Sequence, residues 1–341
     1  MKMKNIFYVF LLGLFLLFSC KSQTIDFPDY KYTTVYFAYQ SPVRTIILGD
    51  DYVYDNSLDT AHQCMIYATM GGVYNNTANR TLDIVTDNSL CNKLTFTNAS
   101  GNQVLPMPSN YYTLASSQIV IPSGSIMGGV KVQLTDAFFA DPLALSNNYV
   151  IPLRITNVTN ADSILSGRAV VTNPNPFIST DWATLPKNYI LYAVKYKNPW
   201  DAVYLRRGIE TSSDTTVIYH QHYVEDDQVV SSVASQSLSQ LLISLNAKKK
   251  GNGDLAFQLL LNFSSNGSCT ITNPASATTY TATGTGQFVK NGDMWGNLKR
   301  DVLHLKYTVT FGTITHTMTD TLVMRDRAEK EETFSPYYNS N

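Results

Sequence analysis

Three tryptophans offer the most direct chemistry in this chain: Trp182, Trp200 and Trp295. A pyranose ring presents a face of C–H groups that packs flat against an aromatic ring. Amide, carboxylate or guanidinium groups beside the ring then take its hydroxyls. Trp200 has Asn198 and Asp201 next to it, Trp295 has Asp293 and Asn297, and Trp182 has Asp181. Sites of this kind are largely apolar with a few placed polar groups. The competing reading makes each Trp a core plug, because Trp is highly buried on average. It weighs more on Trp200 and Trp295 than on Trp182, which lies in a connector where an interdomain groove can form. Arg206-Arg207 and Lys299-Arg300 read as charges on the solvent faces of strands.

Other constellations carry less. His220 and His222 share one face of a strand, but a zinc site needs three or four ligands, and Glu225, Asp226 and Asp227 fall in the following turn. Asp50, Asp51, Asp55 and Asp59 supply oxygens suited to calcium, without the glycine that an EF-hand loop needs at its sharp turn. They read as a solvated acidic loop. There is no Gly-x-Ser-x-Gly elbow, phosphate loop or dinucleotide glycine pattern. A chitinase-like D-x-x-D-x-D-x-E strand is also missing, as is its βα alternation. A glycosidase pair needs carboxylates roughly 5 to 9.5 Å apart, which spacing in sequence does not identify. The expectation is a non-catalytic protein with no cofactor and no metal.

The positioning elements follow from length and pattern. The chain has 341 residues, room for two domains. Lys plus Arg is 25 and Asp plus Glu is 26. The basic excess of a nucleic-acid binder is therefore missing. Hydrophobic residues make up 44%, which excludes disorder as the general state.

Lys2 and Lys4 precede an apolar run from Ile6 to Phe18, and Ser19-Cys20 follows at once. The run is shorter than the roughly 20 residues of a transmembrane helix. A small residue before Cys at its end is the bacterial lipoprotein signal. The Cys20 thiol is the atom that takes diacylglycerol, and several acyl chains make a stable anchor. Residues 1–19 are expected to be a signal peptide and 20–28 a tether.

Cys64, Cys91 and Cys269 remain, at spacings that match no zinc motif. Cys64 and Cys91 could join in a disulfide contributing about 3 kcal/mol, or stay as buried free thiols. Both readings stand.

Beyond the tether, short segments rich in Val, Ile, Thr and Tyr alternate with period two, punctuated by Gly, Pro and Asn. Regular short strands of this kind give an all-β chain. Asp136 to Leu145 has room for one helical turn. Leu238–Leu245 fits a strand or a short helix. Asn173-Pro174-Asn175-Pro176 breaks the pattern and favours extended backbone. The expected organisation is an immunoglobulin-like β-sandwich over 29–174, a linker over 175–187, and an antiparallel β-sandwich or calycin-like barrel over 188–341.

Specific residues carry a family resemblance. In the first half they are Tyr111-Tyr112, the run Ile119 to Gly124, Phe138-Phe139-Ala140-Asp141-Pro142 and the run Tyr149 to Ile155. In the second they are the run Tyr192 to Tyr196 with Asn198-Pro199-Trp200, the run Tyr204 to Gly208, Trp295-Gly296-Asn297 and the run Thr321 to Arg327. The chain resembles two-domain lipoproteins of Bacteroidetes encoded beside SusC/SusD-type glycan-uptake pairs, over nearly its whole mature length. The resemblance implies an immunoglobulin-like first domain, a glycan ligand, a place in the outer membrane facing the cell surface, and a SusC/SusD-type transporter as partner. Surface-displayed relatives often carry an acidic tag after the lipid Cys, and here only Asp26 is nearby.

The function expected is lipid-anchored, non-catalytic glycan capture. A structural or adhesin-like subunit that binds a protein partner is the alternative from another class. A hydrolase with an unfamiliar carboxylate pair stands third.

Overall fold

The computed structural model describes residues 29–220, 222–251 and 253–340. The expected signal peptide and the Cys20 lipidation site lie outside the described residues.

Nine strands form most of the first body: β1 (Thr34–Tyr36), β2 (Pro42–Ile47), β3 (Gln63–Gly71), β4 (Arg80–Thr86), β5 (Tyr112–Leu114), β6 (Gln118–Ile121), β7 (Met127–Leu134), β8 (Tyr149–Thr159) and β9 (Tyr189–Lys197). One sheet runs Ser163–Ile164, β1, β3, β7, β5; the other runs Glu332–Thr333, β2, β9, β8, β4, β6. Side chains alternate across each strand, so one row meets the facing sheet. In β3, Cys64, Ile66, Ala68 and Met70 point inward while Met65, Tyr67 and Thr69 point out. Their partners in the sandwich core include Leu82 and Ile84 of β4 and Val130 and Val132 of β7. This is the immunoglobulin-like sandwich that the pattern implies.

The domain boundary differs from expectation. β9, assigned by sequence to the start of the second domain, is an inner strand of the first. It pairs antiparallel with β8 (Val150↔Ala193) and parallel with β2 (Ala193↔Val43). Tyr189 to Val194 is an unbroken buried run, as a strand covered on both faces requires. Its second cover is a small core of Leu90, Leu94, Phe96, Val104 and Phe334. The 175–187 segment therefore leaves the sandwich and returns to it. The tail comes back as well: Glu332–Thr333 pairs with β2, and Tyr337–Tyr338 pairs with Leu94–Thr95.

The second body holds β10 (Val203–Thr211), β11 (Thr216–Tyr219), β12 (Val233–Ser235), β13 (Gln240–Lys248), β14 (Asp254–Phe263), β15 (Ser268–Thr272), β16 (Thr281–Trp295), β17 (Leu298–Phe311) and β18 (Ile314–Asp326). Each pairs antiparallel with its neighbour in the order β11, β10, β18, β17, β16, β15, β14, β13, β12. The two ends then meet. Val229–Val230 pairs with β10 (Tyr204↔Val230), and β12 pairs with β13 (Val233↔Ile243). Only Ser231 and Ser232 separate those two short strands, so the ladder closes into a barrel that leaves no open edge there. Of the two architectures open from sequence, the calycin-like barrel is the one present. The Leu238–Leu245 run resolves as strand from Gln240 onward: Leu241, Ile243, Leu245 and Ala247 of β13 alternate inward.

A polar cluster sits among these inward rows. Arg206 Nε donates to Asp320 Oδ1 at 2.9 Å, and Tyr307 Oη donates to Asp320 Oδ2 at 2.7 Å. Glu210 accepts from Tyr219 Oη at 2.7 Å and from the Lys248 backbone N–H at 2.8 Å, and lies 2.8 Å from His316 Nδ1. The Arg206 guanidinium stacks 3.7 Å over the Tyr219 ring. Burial pushes the Tyr307 phenol well above its ordinary range.

The sequence reading placed Arg206 and Arg207 both on a solvent face. Adjacent strand residues point to opposite faces, so Arg206 is buried and Arg207 outside pairs with Asp293. Gly208 makes room for the cluster, since a Cβ there would lie 2.2 Å from Asp320 Oδ1 and 2.5 Å from the Thr319 carbonyl oxygen. Gly208→Ala is expected to destabilise the barrel by about 1–3 kcal/mol through overpacking, read as a lower urea midpoint. An unchanged midpoint would show that Asp320 shifts without cost.

The two bodies are latched together. Tyr52, in the loop after β2, packs against the barrel core and accepts a hydrogen bond from the Asp301 N–H at 2.7 Å. The Arg300 guanidinium lies 4.3 Å over its ring, so Arg300 is not a solvent charge either. Burial pushes the Tyr52 phenol up to about 12. Arg327 donates to the carbonyls of Asp50 at 3.0 Å and Asp201 at 3.1 Å.

Candidate functional site

The tryptophans are not brought together: no ring contact joins any two of them. Trp200 stacks on Phe263 with centroids 3.8 Å apart and planes 6° from parallel. Its expected polar neighbours serve the barrel instead. Asn198 donates to the carbonyls of Ser237 and Gln240 and accepts from the Trp200 N–H. Asp201 accepts from the N–H and hydroxyl of Ser235. Trp295 ends β16 at a hairpin whose turn is Gly296-Asn297, both with positive φ, the geometry of a tight two-residue turn. Asp293 beside it pairs with Arg207.

Trp182 is half-buried. Its Nε1–H donates to the Asn175 carbonyl at 2.7 Å, and its ring lies so close to Gly167 that a Cβ there would fall 2.8 Å from it. Asn198, Asp201, Asp293 and Asn297 thus brace local structure. Trp182 supports a rim through its bond to Asn175.

That rim belongs to a hollow of about 410 Å³ in the first body, within the usual range for small-ligand sites. Four elements build it: the 3-10 turn Asn88–Cys91, the Asn-Pro-Asn-Pro connector, Arg154 of β8, and the returning tail with Tyr338. Phe177 and Tyr338 supply aromatic surface. Phe177 meets Tyr189 edge-on at 5.5 Å, and burial pushes the Tyr189 phenol up to about 12.

The polar lining comes from Ser89, Asn92, Lys93, Arg154, Asn173 and Asn175. Among the described residues, no partner bonds the side chains of Asn92, Lys93 or Asn173. Arg154 Nε donates to Asp87 Oδ2 at 2.7 Å. Against partial burial, which raises it, hydrogen bonds from Ser89 and Arg154 hold the Asp87 carboxyl below its ordinary range. Lys93 and Asn173 both adopt left-handed backbone, each with φ 59°. Asn tolerates that region, whereas Lys is uncommon there. The Asn339 N–H donates to the Lys93 carbonyl at 2.8 Å and so ties this turn to the tail.

Two other hollows suit a sugar less well. One, of about 430 Å³ between Tyr39 and Tyr67, is floored by Ala38, Pro42, Leu58, Met65, Met127 and Ile190. Its cation, Arg44, is engaged by Asp59. The other is a furrow of about 510 Å³ on the barrel wall. Its Tyr280 ring packs beside Phe257 and Phe311.

Cys64 and Cys91 are free and buried in separate cores, so the disulfide reading is not realised. Burial pushes both thiols up to about 12. His220 and His222 are exposed, and among the described residues no group of three His, Cys, Asp or Glu could hold a metal ion. The acidic loop is partly structural: buried Asp59 takes Arg44 and the Ile47 N–H, and Asp50 pairs with Lys290. No helix among the described residues is long and apolar enough to cross a membrane.

Residues 199–328, the barrel, match a family model described as a domain of unknown function, DUF5627. Residues 30–162 match a model described as an N-terminal domain. A Bacteroides ovatus protein of unknown function, solved at 2.40 Å, shares 42% identity with a TM-score of 0.83, over 90% of this chain and 99% of its own. A candidate carbohydrate binding protein from Bacteroides ovatus ATCC 8483 covers 90% of this chain and 100% of its own, at 11% identity and a TM-score of 0.28. That likeness carries no argument about fold or function. No curated protein matches.

Proposed function

The chain belongs to the same family as the two-domain Bacteroides ovatus protein of unknown function, and on that premise we propose that it is a lipid-anchored, non-catalytic protein that captures oligo- or polysaccharide for an outer-membrane uptake system. One observation carries the reading: the hollow where Phe177 and Tyr338 stand beside Asn92, Lys93 and Asn173, whose polar groups have no partner within the described protein. Exposed, unpaired donors and acceptors lining a hollow beside aromatic rings suit a sugar, whose faces are apolar and whose rim is hydroxyl.

No Asp or Glu lines the hollow, so nothing in it would act as the acid or nucleophile of glycoside cleavage. Cys20 would hold the molecule on the outer membrane, displayed at the cell surface beside a SusC/SusD-type transporter. Many copies on one surface raise weak single-site affinity through effective concentration.

The test is affinity electrophoresis of the chain from Lys21 onward through a panel of host and plant polysaccharides. At least one is expected to retard it. Phe177→Ala is expected to weaken that retention roughly 10- to 30-fold, the effect of truncating an aromatic anchor. No retardation by any glycan would overturn the proposal.

A second reading, an adhesin-like subunit that binds a protein, draws on a different surface. Ile209 and Ile218 stand directly opposite each other on β10 and β11, 50% and 58% exposed. Capture of a specific outer-membrane protein, lost in Ile218→Asp, would favour it.

A further inference from the structure

We infer that the hollow selects an anionic sugar, a pyranose bearing a carboxylate or a sulfate ester. This rests on the hollow's being the glycan site. Two cationic side chains line it, Lys93 and Arg154, and no acidic one does, in a chain whose net charge is -1.

Neither cation is fully used. The Lys93 ammonium has no ion pair or hydrogen bond among the described residues. Arg154 forms an ion pair with Asp87 through Nε, and among the described residues nothing bonds its two terminal nitrogens. Arg44, beside the hollow between Tyr39 and Tyr67, pairs with Asp59 as Arg154 pairs with Asp87, whereas Lys93 has no carboxylate partner among the described residues.

Its backbone supports the same reading. A lysine at φ 59° sits in a region that glycine occupies freely and lysine does not. The tail holds it there through the Asn339 N–H and the Tyr338↔Leu94 pairing. The conformation places an ammonium on the rim that also carries Tyr338. An anion bridging Lys93 and the free Arg154 nitrogens would receive charge-assisted hydrogen bonds, the stronger kind, while an aromatic ring packs against the sugar face.

Matched probes test this. Polygalacturonate and its fully methyl-esterified form differ in the carboxylate. Dextran sulfate and dextran differ in the sulfate ester. Retention of the chain from Lys21 onward is measured with each. The charged member of one pair, or of both, is expected to bind at least tenfold more tightly than its neutral partner, and less tightly as sodium chloride rises. The pair that responds identifies the anion.

Lys93→Met is expected to weaken the charged probe roughly tenfold. Lys93→Gly, which suits the left-handed backbone, is expected to weaken it equally while melting no lower than the parent. Equal binding of charged and neutral partners overturns the inference, as does charged binding that Lys93→Met leaves unchanged. If Phe177→Ala still weakens a neutral glycan in either case, glycan capture survives and the anionic preference alone falls. If no probe and no panel glycan binds, both fall.

Discussion

Asp320→Ala is expected to cost the barrel about 3–5 kcal/mol, the usual penalty for removing one partner of a buried ion pair. Its carboxylate is fully enclosed, and the Arg206 side chain that it holds is 2% exposed. Truncation leaves the guanidinium without a counterion where water does not reach, and takes the acceptor from the Tyr307 hydroxyl. Arg206 already has one terminal nitrogen, Nη2, without a partner, so it has little left to fall back on. Urea unfolding of the single variant should show the loss. The double variant Arg206→Met/Asp320→Asn should recover most of it, because the stranded charge is gone and Asn still accepts from Tyr307. If the double variant is as unstable as the single, the loss comes from packing and the ion-pair account is wrong.

Trp200→Ala is expected to destabilise the protein by about 3 kcal/mol, the low end for large-to-small core changes, since the ring is only half-buried. The indole lies flat on Phe263 and edge-on to Phe288 at 6.4 Å. Its loss opens a gap against the barrel core at the junction with β9. Asn198 would keep its bonds to the Ser237 and Gln240 carbonyls, so the strand entry should survive and the variant should fold. Glycan retention by the folded variant is expected to match the parent. A stability loss under 1 kcal/mol together with lost retention would return Trp200 to the role of sugar contact that the sequence suggested.

Much of the fold is legible in the residues. The inward and outward rows of β3 and β13 follow directly from apolar alternation, and Gly312 marks the turn between β17 and β18. Other features are not. The run Tyr189 to Val194 announces a strand buried on both faces and says nothing of which sheet takes it. Closure of the barrel depends on Val229–Val230 and β12, too short to show a period. Arg206, Glu210, His316 and Asp320 hold inward positions by strict alternation, but a polar residue there reads as solvent-facing until its partner on another strand is known.

The candidate site was the least legible part. Trp182 stands near the hollow through its bond to Asn175, but the residues lining it are others. Phe177 stands at the end of the Asn-Pro-Asn-Pro break and was the available signal. Tyr338 and Lys93 meet only because the tail pairs with Leu94–Thr95, a contact about 240 residues apart along the chain, which no local pattern carries.

The central claim is that the first-body hollow holds the sugar. The most direct measurement is calorimetric titration of an oligosaccharide cut from the retained glycan into the parent chain and into Tyr338→Ala. Tyr338 lines the hollow from the tail and packs against the small core of Leu90, Leu94 and Phe96, so its truncation removes aromatic surface at some cost in stability. The account predicts saturable binding to the parent and binding at least tenfold weaker to the variant, measured where unfolding curves show both chains folded. Equal affinity for both chains would place the sugar elsewhere and contradict it.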